Sequence, residues 1–297
     1  MRILVAGGTG FIGRRLCRSL GESGHEIVVL SRKEGRAPEG AARVVAGHAD
    51  WSDAVEGAGA IVNLTGAGVA DRRWTERRRN EILDTRLQST RRLVEAIRRA
   101  KRKPEVLVNA SGVGYYGDRG AEMLNETSSP GGGFLARVCL AWEAEAAKAE
   151  EAGARAVFAR IGVVLGAEGG ALPRMLPPFR LGVGGPLGSG RQYMSWIHAA
   201  DAAALLRFAV EKRELHGPMN VCAPSPATNR EFSRALASAL GRPCLFVVPG
   251  LVLRAALGEM SSLLLESQRA EPAAAKAAGF AFRFPELGAA LKDLTAR

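Results

Sequence analysis

The chain has 297 residues, of which 47% are hydrophobic, and a formal net charge of +11. That length holds one large α/β domain with a smaller lobe and a continuous core. No stretch approaches the ~20 uncharged apolar residues of a membrane span, and the chain opens on a core-type strand where a secretory signal would differ, so a cytoplasmic protein with no membrane partner is expected. Cys17, Cys139, Cys222 and Cys244 are too scattered for a zinc knuckle or redox pair, which leaves buried free thiols as their reading and no metal.

In chain order, Arg2 to Ala6 is a short apolar run suited to a strand buried on both faces of a parallel sheet. Gly7, Gly10 and Gly13 follow at spacing of three. The first permits a tight turn, the second a close approach of pyrophosphate to backbone, and the third close packing of helix on strand. Ile12, Leu16 and Leu20 recur at helical spacing, Gly24 can cap that helix, and His25 to Leu30 is a second β-rich run. The helix N-terminus, with unpaired N–H groups around Gly10 to Ile12, favours an anion. Where a site for the non-phosphorylated cofactor wants a carboxylate on the ribose, the chain offers Ser31, Arg32 and Lys33. These suit a 2′-phosphate, and NADP is the expected cofactor. The plainer alternative leaves Arg32 and Lys33 in a solvated loop.

Arg43 to Ala46 reads as a third strand and Ala60 to Leu64 as a fourth, closing on the small-residue turn Thr65-Gly66-Ala67-Gly68. A helix over about Thr75 to Ala100 carries one apolar stripe through Ile82, Leu83, Leu87, Leu93, Val94 and Ile97. Glu105 to Ala110 is a fifth strand, running into Ser111-Gly112-Val113-Gly114-Tyr115-Tyr116-Gly117-Asp118 on the ligand-binding edge of the sheet. A helix over about Gly133 to Glu151 and a sixth strand over Ala156 to Ile161 continue the alternation. After Leu165 the texture turns to glycine and proline, a loop-rich crossover, before a helix from Asp201 to Glu211. Met219 to Val221 could add a strand, and Leu245 to Val248 is β-like among short helices. The expected architecture is a Rossmann-type doubly wound parallel sheet over residues 1–165, with 192–216 returning to it. Residues 166–191 and 217–297 would form a smaller C-terminal α/β lobe on the substrate side.

The arginines at 72, 73, 77, 78 and 79 and the basic run from Arg98 to Lys103 flank one helix without interleaved aromatics. A solvated basic face is favoured over a nucleic-acid surface. The partner expected is a small molecule, and neither its identity nor an oligomeric state follows from the residues.

The segments GGTGFIG at the start, NLTGAG at 63–68, SGVGYYGD at 111–118, RIGVVLG at 160–166 and SWIHAAD at 195–201 resemble the extended short-chain dehydrogenase/reductase superfamily. More narrowly they resemble its atypical epimerase-like branch, also marked by Trp74, the segment from Glu81 to Arg86-Leu87, PGGGFLARV before Trp142-Glu143, and FPELGAALK near the end. The resemblance implies that Thr9, Gly10, Phe11 and Ile12 hold the pyrophosphate, Ser31 and Arg32 the 2′-phosphate side, and Leu64 and Thr65 the middle of the cofactor. It implies further contacts from Glu81, Arg86 and Val164. Thr65 departs from the alanine more usual in that turn, and Glu81 with Arg86 could instead be a surface helix pair.

For catalysis the resemblance runs the other way. Typical members use a Tyr-x-x-x-Lys helix in which the lysine lowers the phenol pKa, plus a serine or threonine that orients the substrate. Here the aligned helix carries Trp142 and Ala146, and the usual hydroxyl position is Gly112, with Ser111 one residue out of register. Tyr116 is the first-choice proton donor, with Tyr115, Glu143 and Ser111 as further candidates and Lys148, Tyr193 and His198 farther off. Each has a structural alternative: Tyr116 in packing, Glu143 in a helix salt bridge, Trp142 in the core, His198 in the SWIH turn. The function is open between an NADP-dependent oxidoreductase or epimerase-like enzyme and a non-catalytic NADP(H)-binding sensor or regulator.

Overall fold

The computed structural model describes residues 1–31, 35–46 and 51–296. In chain order the strands are β1 (Arg2–Ala6), β2 (Glu26–Ser31), β3 (Arg43–Ala46), β4 (Ala60–Asn63), β5 (Val106–Gly112), β6 (Met123–Leu124), β7 (Arg155–Ile161), β8 (Val163–Gly166), β9 (Gly169–Gly170), β10 (Tyr193–Met194), β11 (Trp196–His198), β12 (Gly217–Val221), β13 (Ala227–Thr228) and β14 (Arg269–Ala270). The α-helices are α1 (Phe11–Glu22), α2 (Ser52–Val55), α3 (Glu76–Arg99), α4 (Phe134–Glu151), α5 (Leu172–Arg180), α6 (Ala199–Glu211), α7 (Asn229–Ala239), α8 (Gly250–Leu257), α9 (Ser262–Leu265), α10 (Ala273–Ala277) and α11 (Leu287–Thr295).

The main sheet has the order β12-β7-β5-β4-β1-β2-β3 and is parallel throughout. Successive residues of β1 point to opposite faces, and both faces are buried. Ile3 and Val5 pack with Leu16, Cys17 and Leu20 of α1 and Leu205, Leu206 and Ala209 of α6. Leu4 and Ala6 pack with Leu93, Val94 and Ile97 of α3 and Ala146 and Ala149 of α4. Helices therefore cover both sides, the condition under which apolar strands carry no polar alternation. This is the Rossmann-type doubly wound α/β arrangement the element order implies. Its strand order reverses between β1 and β4, which places the ligand crevice at the C-terminal ends of those two strands.

A separate apolar cluster organises the smaller lobe: Leu172, Leu176 and Phe179 of α5, Trp196 of β11, Phe232 and Leu236 of α7, and Ala290 and Leu291 of α11. Helix α7 opens with a complete capping box, in which Thr228 accepts from the Glu231 N–H and the Glu231 carboxylate accepts from the Thr228 N–H.

Some segments depart from the sequence reading. β12 lies in the main sheet, paired in parallel with β7 from Gly217↔Val157 to Val221↔Ile161, and not in the smaller lobe. Met219 and Val221 bury into the same core as β1, a tertiary pairing that so short a run does not announce. The crossover after Leu165 contains helix α5 despite Pro177 and Pro178 within it. Leu172, Leu176 and Phe179 anchor one stripe of that helix, which offsets the missing N–H groups. Leu245 to Val248 forms no strand; only Val248 makes a bridge, to Leu187. No helix among the described residues is long and apolar enough to cross a membrane.

Candidate functional site

The glycine turn after β1 meets the loop after β4 directly. Gly7 has φ +83°, and a Cβ there would lie 2.9 Å from the Leu64 carbonyl, so only glycine allows both the turn and the approach. A Cβ on Gly13 would fall 2.3 Å from the Gly7 oxygen, which is the close helix-to-strand packing its spacing implies. Gly10 is the N-cap of α1 and has no side chain to cap it, and no acidic residue stands in the first turn. The first N–H groups of the helix thus have no side-chain partner from the cap, and Thr9 and Gly10 are exposed. Phe11 and Ile12 are half-buried. The Phe11 ring packs where side chains on Gly166, Gly169 and Gly170 would otherwise be, under the Arg15 guanidinium at 4.3 Å from its centroid. Its side chain is therefore a wall, and only its backbone faces the turn. Val164, on β8, is buried in the core beside Ile197 of β11.

Ser31 ends β2, and Arg32 lies outside the described residues. Leu64 donates its N–H to the Ala6 carbonyl at 2.8 Å. The Thr65 hydroxyl is turned into the protein, against Asn63 Oδ1 and Ser89 Oγ. Glu81 and Arg86 do not pair with each other. Glu81 accepts from Arg78 at 2.7 Å, whereas Arg86 Nη1 donates to the Ala67 and Ile82 carbonyls, each at 2.9 Å. The Arg86 guanidinium also stacks 4.9 Å from the Trp142 ring, and burial pushes its pKa down to about 10. It is a partly desolvated cation held by carbonyl dipoles at the mouth of the crevice, suited to an anionic or electron-rich ligand.

Beyond β5 the structure draws the three catalytic candidates into one buried network around Arg160, a residue of β7. Ser111 donates to Glu143 Oε1 at 2.6 Å. Arg160 donates to both oxygens of the same carboxylate, from Nε at 2.9 Å and Nη2 at 2.8 Å. Arg160 Nη1 reaches the Tyr116 phenol oxygen at 3.0 Å, and that phenol donates to Asn220 Oδ1 at 2.8 Å, with the Asn125 carbonyl at 3.0 Å. Tyr116 has no exposed surface, and burial pushes its pKa up to about 12 although Arg160 works against this. The structure thus places the first-choice acid in an enclosed position, where its phenol joins β7 to β12. Half-buried Tyr115 lies over the Arg160 guanidinium, whose Cζ is 3.4 Å from its ring centroid.

The positions of the usual Tyr-x-x-x-Lys pair are filled by buried Trp142 and Ala146. Trp142 Nε1 donates to Thr90 Oγ1 at 2.8 Å, and Asn63 Nδ2 donates to the same Thr90 hydroxyl at 2.9 Å and to Asn109 Oδ1 at 2.6 Å. Trp74 stacks edge-on to Phe134, which ties together two of the branch's sequence marks. His198 is the N-cap of α6, its Nδ1 accepting from the Ala200 N–H at 3.1 Å. Tyr193 lies on β10 beneath Arg269, and Lys148 pairs with Glu145 on α4. Neither belongs to the network around Arg160. Sequence reasoning missed Arg160, Asn63, Asn109 and Asn220. A signal existed: each is a polar residue inside a strand buried on both faces, where it must find partners.

Fold and site together define a doubly wound α/β protein of the dinucleotide-binding type, with its crevice at the β1 and β4 ends. Residues 3–222 match the NAD dependent epimerase/dehydratase family, and residues 248–294 match a domain of unknown function, DUF1731. The chain therefore belongs to the NAD dependent epimerase/dehydratase family. It is 42% identical to the mouse epimerase family protein SDR39U1, all of each chain being covered. It is 39% identical to the Bacillus subtilis epimerase family protein YfhF, over 100% of this chain and 98% of that one. The crystal structure of human epimerase family protein SDR39U1 (isoform 2) with NADPH superimposes with a TM-score of 0.90 at 39% identity, covering 99% of both chains.

Proposed function

We propose that this chain is an NADP(H)-dependent oxidoreductase or epimerase-like enzyme that works without the Tyr-x-x-x-Lys pair. The observation that carries the cofactor reading is the N-terminus of α1, without a side-chain cap, which follows β1 at the turn packed against the loop after β4. The NADPH in the human relative's structure supports the same choice. In this reading Gly7, Thr9, Gly10, Phe11, Ile12 and Gly13 cradle the pyrophosphate, Ser31 and Arg32 take the 2′-phosphate, and Leu64, Thr65, Glu81, Arg86 and Val164 complete the contacts.

When bound, NADP(H) supplies or accepts a hydride. The protein's part is to move the accompanying proton. Because the Ser111 hydroxyl donates to Glu143, its oxygen keeps the capacity to accept from a substrate hydroxyl. A proton arriving at Ser111 Oγ is then matched by the serine's own proton passing to Glu143, while Arg160 holds that carboxylate in place.

Burial of Trp142 and Ala146 where the usual acid and its lysine would stand favours a second reading, a non-catalytic NADP(H) sensor. Calorimetric titration with NADPH and NADH, followed by a carbonyl and nucleotide-sugar turnover screen, separates the two. NADPH should bind about ten- to a hundredfold more tightly than NADH, and Arg32→Ala should remove most of that preference. Ser111→Ala should abolish turnover while leaving NADPH affinity within a factor of a few. Tight NADPH binding with no turnover in the screen would establish the sensor.

A further inference from the structure

We propose that the face built from the loop after α5, the segment from Arg242 to Val248 and helix α8 docks on an anionic lipid bilayer surface. Among the described residues, seven of the ten exposed large hydrophobic side chains lie on it: Leu181, Val183, Leu245, Phe246, Val247, Leu251 and Val252. Leu245 is 80% exposed, Leu181 78% and Leu251 77%. Isolated exposed leucines are ordinary, but a contiguous group marks an interaction surface.

The group is contiguous because its segments are tied together. The Val248 N–H donates to the Pro186 carbonyl at 2.9 Å and the Gly188 N–H to the Val248 carbonyl at 2.8 Å. Asn229 accepts from the Leu187 N–H at 2.7 Å, which pins this pair of segments to α7. Helix α8 buries no residue completely; Leu253 and Leu257, one turn apart, form its half-buried side. The apolar tips are thus presented by backbone already held in place.

Charge decides what the face meets. Exposed Arg180, Arg242 and Arg254 stand among the apolar tips, and residues 180–191 and 241–258 contain no aspartate or glutamate. A symmetric dimer through this face would bring like-charged arginines together without an acidic counterpart. Aliphatic tips amid arginines match the acyl and headgroup levels of an anionic leaflet. The absence of a spanning segment, on which the expectation of no membrane partner rests, does not bear on surface docking.

The test is co-sedimentation of the full chain with phosphatidylcholine vesicles with and without phosphatidylglycerol, at low and high salt. Binding should require phosphatidylglycerol and weaken with salt. Phe246→Glu combined with Leu251→Glu, both on exposed side chains, should weaken it by roughly tenfold or more while thermal stability and NADPH affinity are unchanged. Absence of sedimentation, equal binding to neutral vesicles, or unchanged binding of the double variant would each overturn the proposal. A concentration-dependent dimer lost in the same variant, without vesicle binding, would assign the face to a second copy and overturn it too.

Discussion

Arg160 grips Glu143 through two parallel hydrogen bonds, 2.9 Å from Nε and 2.8 Å from Nη2, in an ion pair almost closed to solvent. One partner sits on β7 and the other on α4, so the pair fixes the helix that carries Trp142 against the strand beside the one that carries Ser111. Removing one charge strands the other. Arg160→Met should cost about 3–5 kcal/mol in urea unfolding, whereas replacing both residues by methionine should recover much of that loss. Equal losses in the single and double variants would show that the two do not act as a pair.

Tyr116→Phe tests the bracing role of that phenol. The substitution keeps the ring and removes the oxygen that joins Arg160 to Asn220. Stability should fall by about 1–3 kcal/mol because buried polar groups lose a partner. NADPH affinity and any turnover should stay near the parent values. Loss of turnover with unchanged stability would return Tyr116 to the acid's role.

The turn glycines should separate binding from folding. Gly13→Ala sets a methyl 2.3 Å from the Gly7 oxygen, backbone against backbone, and should destabilise the fold strongly. Gly10→Ala meets only the same oxygen, at 3.2 Å, in the turn proposed to hold the pyrophosphate. It should weaken NADPH binding with little change in melting temperature. Circular dichroism melts alongside calorimetric titration check both.

His198 gives a pH signature. Its pKa lies below the ordinary 6.5, chiefly through burial, with Asp293 working in the opposite direction. Only the neutral ring can accept from the Ala200 N–H as the cap of α6. A group whose folded pKa is depressed contributes stability above its unfolded pKa and loses that contribution as pH falls. Melting temperature should therefore decline as pH drops below about 6.5, and His198→Asn, which keeps a capping acceptor, should flatten that part of the profile.

What the sequence determined by itself was local. The β1 run, the glycine spacing and the stripe of α3 report burial and backbone demands that neighbouring residues settle among themselves, so these elements were legible to within a residue or two of their ends. Only the tertiary structure could decide the pairings between distant segments. The place of β12 beside β7, the burial of α5 despite its prolines, and the exposure of Leu245 to Val247 depend on which surfaces meet. The catalytic candidates divide in the same way. Ser111, Tyr116 and Glu143 were legible as polar candidates by residue type and position. Their capture by Arg160 was not, because a hydrogen bond joins strands and helices far apart in the chain, and its direction is set by packing that no local pattern records.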